Sequence, residues 1–310
     1  MIEGKLFLTG GTGTLGKAII RRAHEEDWPC EITVFSRDPM KQFPIKKEYP
    51  DVNFVVGDIC DFPTLANAIA GHDIVLHLAA QKHIPTGEFN VMQTISVNLQ
   101  GSINVAEASY HNLVKKVVGI STDKVVHAVN TYGATKYLME KVFQEYAMMQ
   151  NVTKFNLVRY GNVLGSTGSV IQVWREMEKQ GTVYATDPDM SRFWLTVDDA
   201  VDIILHTLHD GSFSGDIVIP KCGACTMEDL AIYTLKTTPE YTGIRPGEKR
   251  YEELLGAEES RYATFQETDQ GGWYYLSPTT SEPTRSVEIV FDSNVAGKLF
   301  SKDIKRMIGE

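Results

Sequence analysis

The chain has 310 residues, 43% of them hydrophobic and 23% charged, with a formal net charge of −10. That length suits about two domains with packed cores. The acidic balance, with no Lys/Arg stripe, excludes nucleic acid as an expected partner, and no apolar run approaches the ~18 residues of a membrane span.

The N-terminus enters an apolar strand at once and shows no signal-peptide pattern, and cysteine is sparse. Both features point to a reducing, cytoplasmic setting. In chain order, "KLFLTG" reads as a strand and Leu15 to Glu26 as a helix. "EITVFSR" and "VNFVVGD" follow as strands, "PTLANAIAG" as a short helix stopped by Gly71, and "DIVLHLAA" as a fourth strand. Glu88 to Asn112 reads as one long helix containing Gly101. "KKVVGIST" is a fifth strand, Tyr132 to Gln150 a helix and "KFNLVRYGNV" a sixth strand. Near-continuous Val/Ile/Leu runs alternating with helices predict a doubly wound parallel sheet. After about Gly165 the rhythm breaks into loops, a helix at Val197 to His209 and a strand at "DIVIP". This predicts a smaller domain over 166–310, packed against a first domain over 1–165 with interleaved borders.

The turn "LTGGTGTLG" places Gly10, Gly13 and Gly16 between the first strand and the first helix. Glycines there allow a tight turn and close backbone approach, and the helix N-terminus faces a pyrophosphate. The second strand ends in Ser36, Arg37 and Asp38. Arg37 suits a 2′-phosphate, so NADP is expected over NAD, although Asp38 lies where an acid still reaches a ribose. Asp58, ending the third strand with Ile59 after it, suits the adenine edge. Ala79 and Ala80, ending the fourth, let a cofactor lie close.

Tyr132 and Lys136 are four residues apart and share one helix face. A free phenol has a pKa near ~10. A neighbouring ammonium and an oxidised nicotinamide favour the phenolate, which makes Tyr132 a base for a sugar hydroxyl whose carbon loses a hydride. Just upstream, Thr122, Asp123 and Lys124 set an acid beside a base. Cys222 and Cys225 form a lone C-x-x-C with no second pair and no His pair at zinc spacing. They read as two thiols beside a strand, and no metal is expected.

The stretches "SRD", "GDICD", "HLAAQKHIP", "STDK", "YGATK", "VRYGNVLGSTGSVI", "DPDMSRFW", "IPK" and "GIRPGEK" together resemble the extended short-chain dehydrogenase/reductase family. Within it they are similar to the inverting UDP-N-acetylglucosamine 4,6-dehydratases of polysaccharide biosynthesis. The resemblance implies an α/β fold with a Rossmann-type doubly wound parallel sheet and a smaller C-terminal substrate domain. It implies that Thr122 holds the sugar O4, Asp123 protonates the leaving 6-hydroxyl and Lys124 removes the C5 proton. Hydride taken from C4 returns to C6, so the cofactor is not consumed. The implied cofactor set adds Thr12, Thr14, Leu15, Asn98 and Val163. Lys82 would sit near both cofactor and substrate. Asn162, Val170, Thr186, Met190 and Arg192 would hold the nucleotide sugar, with Arg245 and Glu248 at the diphosphate and ribose. A UDP-sugar substrate and a homo-oligomer follow from the same resemblance. Val105, Ala108, Val142 and Tyr146 are candidates for oligomer surfaces or, as simply, for the core.

The chain departs from the family pattern at His127-Ala128, where Asn-Pro is common, and at Phe89-Asn90-Val91, where Tyr-Asn-Pro is usual. These departures bear on the sugar more than on the reaction. His83 and His127 read as structural or solvent-facing, and the tail after Arg250 resembles the family poorly. Two rivals stand: a UDP-sugar C4 epimerase using the same tyrosine without elimination, and a cofactor-binding redox sensor with no turnover.

Overall fold

The computed structural model describes residues 1–149, 152–166, 168–209, 213–269, 271–278 and 290–309. The first half runs β1 (Gly4–Thr9), α1 (Thr14–Glu25), β2 (Cys30–Ser36), α2 (Pro39–Glu48), β3 (Asn53–Val56), α3 (Phe62–Ile69) and β4 (Ile74–His77). It continues through α4 (Ile84–Phe89), α5 (Val91–Ile95), a π-helical turn (Ser96–Gln100), α6 (Gly101–His111), β5 (Lys116–Ile120), α7 (Thr131–Met148) and β6 (Lys154–Val158). The second half holds β7 (Asn162–Val163), α8 (Val170–Lys179), β8 (Tyr184–Ala185), β9 (Ser191–Leu195), α9 (Val197–His209), β10 (Ile217–Pro220) and β11 (Ala224–Thr226). It ends with α10 (Met227–Leu235), β12 (Glu240–Tyr241), β13 (Glu253–Leu255), α11 (Ala257–Ser260), β14 (Ala263–Thr268), β15 (Gly271–Leu276), β16 (Phe291–Asp292) and α12 (Ser301–Ile308).

The principal sheet has nine strands in the order β14-β15-β10-β6-β5-β4-β1-β2-β3. From β10 to β3 neighbouring strands are parallel, while β15 and β14 add antiparallel at the far edge. The doubly wound sheet expected from the sequence is therefore present. Strand order reverses between β1 and β4, the crevice where such sheets bind ligands. Alternation along β1 sends Phe7 to one face and Leu6 and Leu8 to the other. Phe7 joins a core with Phe35, Val105, Phe143 and Phe155, and Leu6 and Leu8 join Ile19, Ile20, Ile203 and Ile204 on the opposite side. A third core around Trp174, Leu230 and Ile304 builds the C-terminal region. That region is not a separate block, because β10, β14 and β15 return to the principal sheet.

Three sequence readings change. The long helix expected over Glu88 to Asn112 is broken at Asn90, whose backbone (φ −131, ψ 53) leaves the helical region between α4 and α5. A π-helical turn then precedes α6. Helix α2, which the reading passed over, starts with Pro39 behind the capping carboxylate of Asp38, which accepts from the Met40 and Lys41 amides. Val105 and Ala108, offered as surface or core, are fully buried, and Val142 and Tyr146 pack against the same core. Exposed apolar residues of α4, α5 and α7 include Phe89, Val91, Met92, Tyr137, Leu138 and Met148. Helix α7 is described to Met148, and Gln150, its expected end, lies outside the described residues.

Candidate active site

The site gathers at the C-terminal ends of the parallel strands. After β1, Gly10 takes φ +66, and a Cβ there would lie 2.8 Å from the Ala79 Cα. The glycine thus lets the first turn lie directly on the end of β4. Thr9 Oγ1 accepts from the Leu78 and Ala79 amides, at 3.1 and 3.3 Å, and meets His77 Nδ1 at 2.8 Å. His77 Nε2 lies 2.9 Å from Ser102 Oγ, which itself donates to the Asn98 carbonyl. Nε2 is therefore the protonated ring nitrogen and Nδ1 accepts from Thr9. Burial, with the Lys136 charge adding to it, pushes the His77 pKa down to about 3, so the ring stays neutral. This buried chain fixes Ala79 and Ala80 beside the glycine turn.

Gly13 caps α1 without a side-chain bond, so no side chain of that residue competes for the helix N-terminus. Thr12, Thr14 and Leu15 are half-buried along the turn, and Gly16 is buried where a Cβ would collide with the Gly11 backbone. These features fit a dinucleotide's pyrophosphate. Arg37 is largely exposed and lies 3.8 Å from Asp58. Ser36 is turned inward onto Gln42 Nε2 at 2.9 Å, and Asp38 is occupied as the α2 cap. Asp58 Oδ1 accepts from the Cys60 amide at 2.9 Å, and Ile59 is buried. Asn98 is anchored on Gln81, accepting from its amide at 2.7 Å and donating to its carbonyl at 3.0 Å. Lys82 is exposed, and the partial desolvation of its ammonium lowers its pKa. Val163 is half-buried at the end of β7.

The Thr122-Asp123-Lys124 turn follows β5. Asp123 is fully buried. Its Oδ1 accepts from Thr122 Oγ1 and from Lys124 Nζ, each at 2.9 Å, while its Oδ2 is buried with no hydrogen-bond partner. Lys124 also donates to Asn162 Oδ1 at 3.2 Å and lies 3.7 Å from Glu252. Burial alone would lower the Lys124 pKa, but Asp123 and Glu252 outweigh it and leave it raised. Helix α7 presses on this turn, since Asn130 caps it through the Gly133 amide and a Cβ on Gly133 would collide with the Lys124 carbonyl. Tyr132 therefore stands next to the triplet. Burial raises its phenol, and the Lys124 charge and a hydrogen bond with Thr122 pull it back. Lys124 is thus a cation beside Tyr132 that lowers its phenol pKa, while the nearby Asp123 raises it. Lys136 is buried against Met139 Sδ at 3.1 Å, and desolvation brings its pKa down to about 7, opposed by Glu140.

The outer wall is the segment 242–252. Asn130 donates to the Gly247 carbonyl and Lys249 to the Val126 carbonyl, both at 2.8 Å, which pins this segment over the catalytic turn. Arg245 and Glu248 pair with each other. Arg192 is buried and donates to the carbonyls of Ser191, Lys249 and Arg250. Met190 is buried, and Val170 and Thr186 are half-buried. Cys222 and Cys225 carry free thiols, and burial pushes Cys225 up to about 12. His127 is exposed and meets Glu253 at 2.9 Å. Among the described residues, no group of three or more His, Cys, Asp or Glu side chains is arranged to hold a metal ion.

Two features escaped the sequence reading. Glu252 is buried among Lys124, Lys249 and Arg192. Arg159 is fully buried with Glu140 and bridges to Glu259. Both are joined by long-range contacts that spacing along the chain does not signal.

A glycine turn at the switch point of a parallel sheet, with a Tyr-x-x-x-Lys pair next to it, defines an enzyme of the short-chain dehydrogenase/reductase kind. The chain belongs to the family described as polysaccharide biosynthesis protein, which matches residues 6–270. That match runs past Arg250 to 270, so it includes the segment holding Glu252 and Glu259, while 271–310 lies outside it. The chain is 38% identical to a UDP-glucose 4-epimerase of Rickettsia akari, covering 89% of this chain and 83% of that protein. It is 35% identical to an inverting UDP-N-acetylglucosamine 4,6-dehydratase of Campylobacter jejuni, covering 88% and 83%. The structure of Pen from Bacillus thuringiensis superposes with a TM-score of 0.89 at 28% identity, covering 98% of this chain and 96% of that one. A dTDP-glucose 4,6-dehydratase of Streptomyces venezuelae, solved with NAD bound, shares the fold at TM-score 0.73 and 22% identity.

Proposed function

We propose that the protein is a C5-inverting UDP-N-acetylglucosamine 4,6-dehydratase using NADP. The observation that carries this reading is the Asp123–Lys124 pair, bridged at 2.9 Å next to Tyr132, with Asp123 Oδ2 buried and unpartnered. A C4 base alone suffices for epimerisation. Elimination needs an acid and a base together, and this chain buries one of each. Bound nicotinamide supplies the hydride acceptor for C4 and the hydride donor for C6. Tyr132, as phenolate, takes the O4 proton while Thr122 orients that oxygen. A ketone at C4 then acidifies the C5 proton.

Moving one proton across the Asp123–Lys124 bridge turns carboxylate and ammonium into acid and amine. A sugar bound over the pair would exclude water from it, and desolvation disfavours the charged forms. The Lys124 amine takes the C5 proton, Asp123 gives its proton to O6, the C6–O6 bond breaks and water leaves. The pair is left as ammonium and carboxylate, its resting state. Inversion requires that C5 regain a proton on the face opposite the one it lost. Arg37, exposed at the end of β2, supports NADP over NAD.

The 38% identity to an epimerase favours a second reading, C4 epimerisation of a UDP-sugar by the same tyrosine. Incubation with UDP-N-acetylglucosamine, followed by mass spectrometry, separates the two. The dehydratase reading expects loss of one water, and unchanged mass on turnover favours the epimerase.

A further inference from the structure

Glu252 lies just outside the residues assigned above and is 4% exposed. Its Oε1 is 3.7 Å from Lys124 Nζ and 3.8 Å from Arg192 Nε, and its Oε2 is 3.0 Å from Lys249 Nζ. Its backbone is fixed as well, the amide donating to Ser293 Oγ at 3.0 Å and the carbonyl accepting from the Ser293 amide at 2.8 Å. A carboxylate is costly to bury without such partners. Arg192 needs no help from it, because backbone carbonyls already bind its guanidinium. With Oε2 turned to Lys249, Oε1 is the oxygen that faces Lys124, at the same ammonium that Asp123 holds.

We propose that Glu252 is a positioning residue for the elimination: it holds Lys124 toward C5 and stabilises the ammonium that forms when Lys124 takes the C5 proton. The inference rests on the dehydratase reading. Asp123 holds Lys124 in the resting state, but during elimination it is the acid and carries no charge until its proton has gone to O6. Through that interval Glu252 is the anion that faces Lys124. Arg192 and Lys249 flank the Glu252 carboxylate on its other sides, at 3.8 and 3.0 Å. The other titratable groups facing the cluster are Tyr132 and the Cys222 thiol, whose pKa burial pushes far up. His127 and Glu253 form the next pair outward, at the surface.

The test is the pH profile of kcat for NADP-loaded protein turning over UDP-N-acetylglucosamine. The active pair carries one proton, so two macroscopic pKa values bound the profile. Removing a nearby anion lowers both. Glu252→Gln should move both limbs to lower pH by about one unit, the size expected for a charge at this range. At the optimum its kcat should fall about tenfold, with cofactor binding kept, and Glu252→Asp should restore part of the loss. Lys249→Met, which removes a cation from the same cluster, should move both limbs the other way, and it serves also if Glu252→Gln does not fold. Limbs that stay in place in the folded variants, whatever happens to kcat, overturn the proposal. Wild-type turnover without loss of water overturns it together with the dehydratase reading, whereas dehydration with unmoved limbs overturns the role of Glu252 alone.

Discussion

In the proposed mechanism Asp123 and Lys124 divide the elimination between two adjacent side chains, so single substitutions should separate its halves. Asp123→Asn keeps the shape and removes the acid. Dehydration should slow by about 10²–10⁴-fold, while exchange of the C5 proton with deuterated water should fall less, because Lys124 remains and can lose its proton to solvent instead of to Asp123. Lys124→Ala should abolish both exchange and dehydration. NMR of substrate and product in deuterated water reads both quantities, and Asp123→Asn dehydrating at the wild-type rate would contradict the assignment. In the proposed reading Arg37 carries the cofactor preference. Stripped wild-type protein should bind NADP more tightly than NAD in titrations, and Arg37→Ala should reduce that ratio. Tighter binding of NAD to the wild type would reverse the expectation. These residues were legible in the sequence because their neighbours are local. Thr122, Asp123 and Lys124 share one turn, and Tyr132 and Lys136 share one helix face. Glu252 was not legible, since its partners come together only when the segment 242–252 folds over that turn.

Helix α7, β6 and α11 meet at Arg159, which is fully buried and makes paired bonds to Glu140 (3.0 and 2.7 Å) and to Glu259 (2.8 and 3.0 Å). Ser121, just before the catalytic turn, donates to Glu140 at 2.5 Å. Breaking such a buried pair from one side leaves an uncompensated charge and typically costs about 3–5 kcal/mol. Arg159→Met should therefore lower the urea midpoint markedly with little change in slope. A wild-type midpoint would show that the network is not needed for stability. Among the elements themselves, the parallel strands were easy to read because each is a short Val/Ile/Leu run. Helix α2 was not, since Pro44 interrupts it and it buries only Gln42 and Ile45. The break at Asn90 was missed because the residues on both sides of it still suit a helix.

The whole molecule couples its two regions through one sheet. Strands β10, β14 and β15 extend the principal sheet, and the segment from 242 to 260 returns to the Thr122–Lys124 turn and its surroundings with Lys249, Glu252 and Glu259. Sequence rhythm showed that the second half is irregular. It did not show that this half meets the Thr122–Lys124 turn, because Lys124 and Glu252 lie 128 residues apart (252 − 124). The central claim is that this assembled site removes water from a UDP-sugar and inverts C5. It is tested most directly by NMR of the fresh product formed from UDP-N-acetylglucosamine and wild-type protein in deuterated water. The account predicts a 4-keto-6-deoxy sugar with deuterium at C5 and ring coupling constants of the inverted configuration. A product that keeps its mass and differs only at C4, or a dehydrated product with C5 configuration retained, would contradict it.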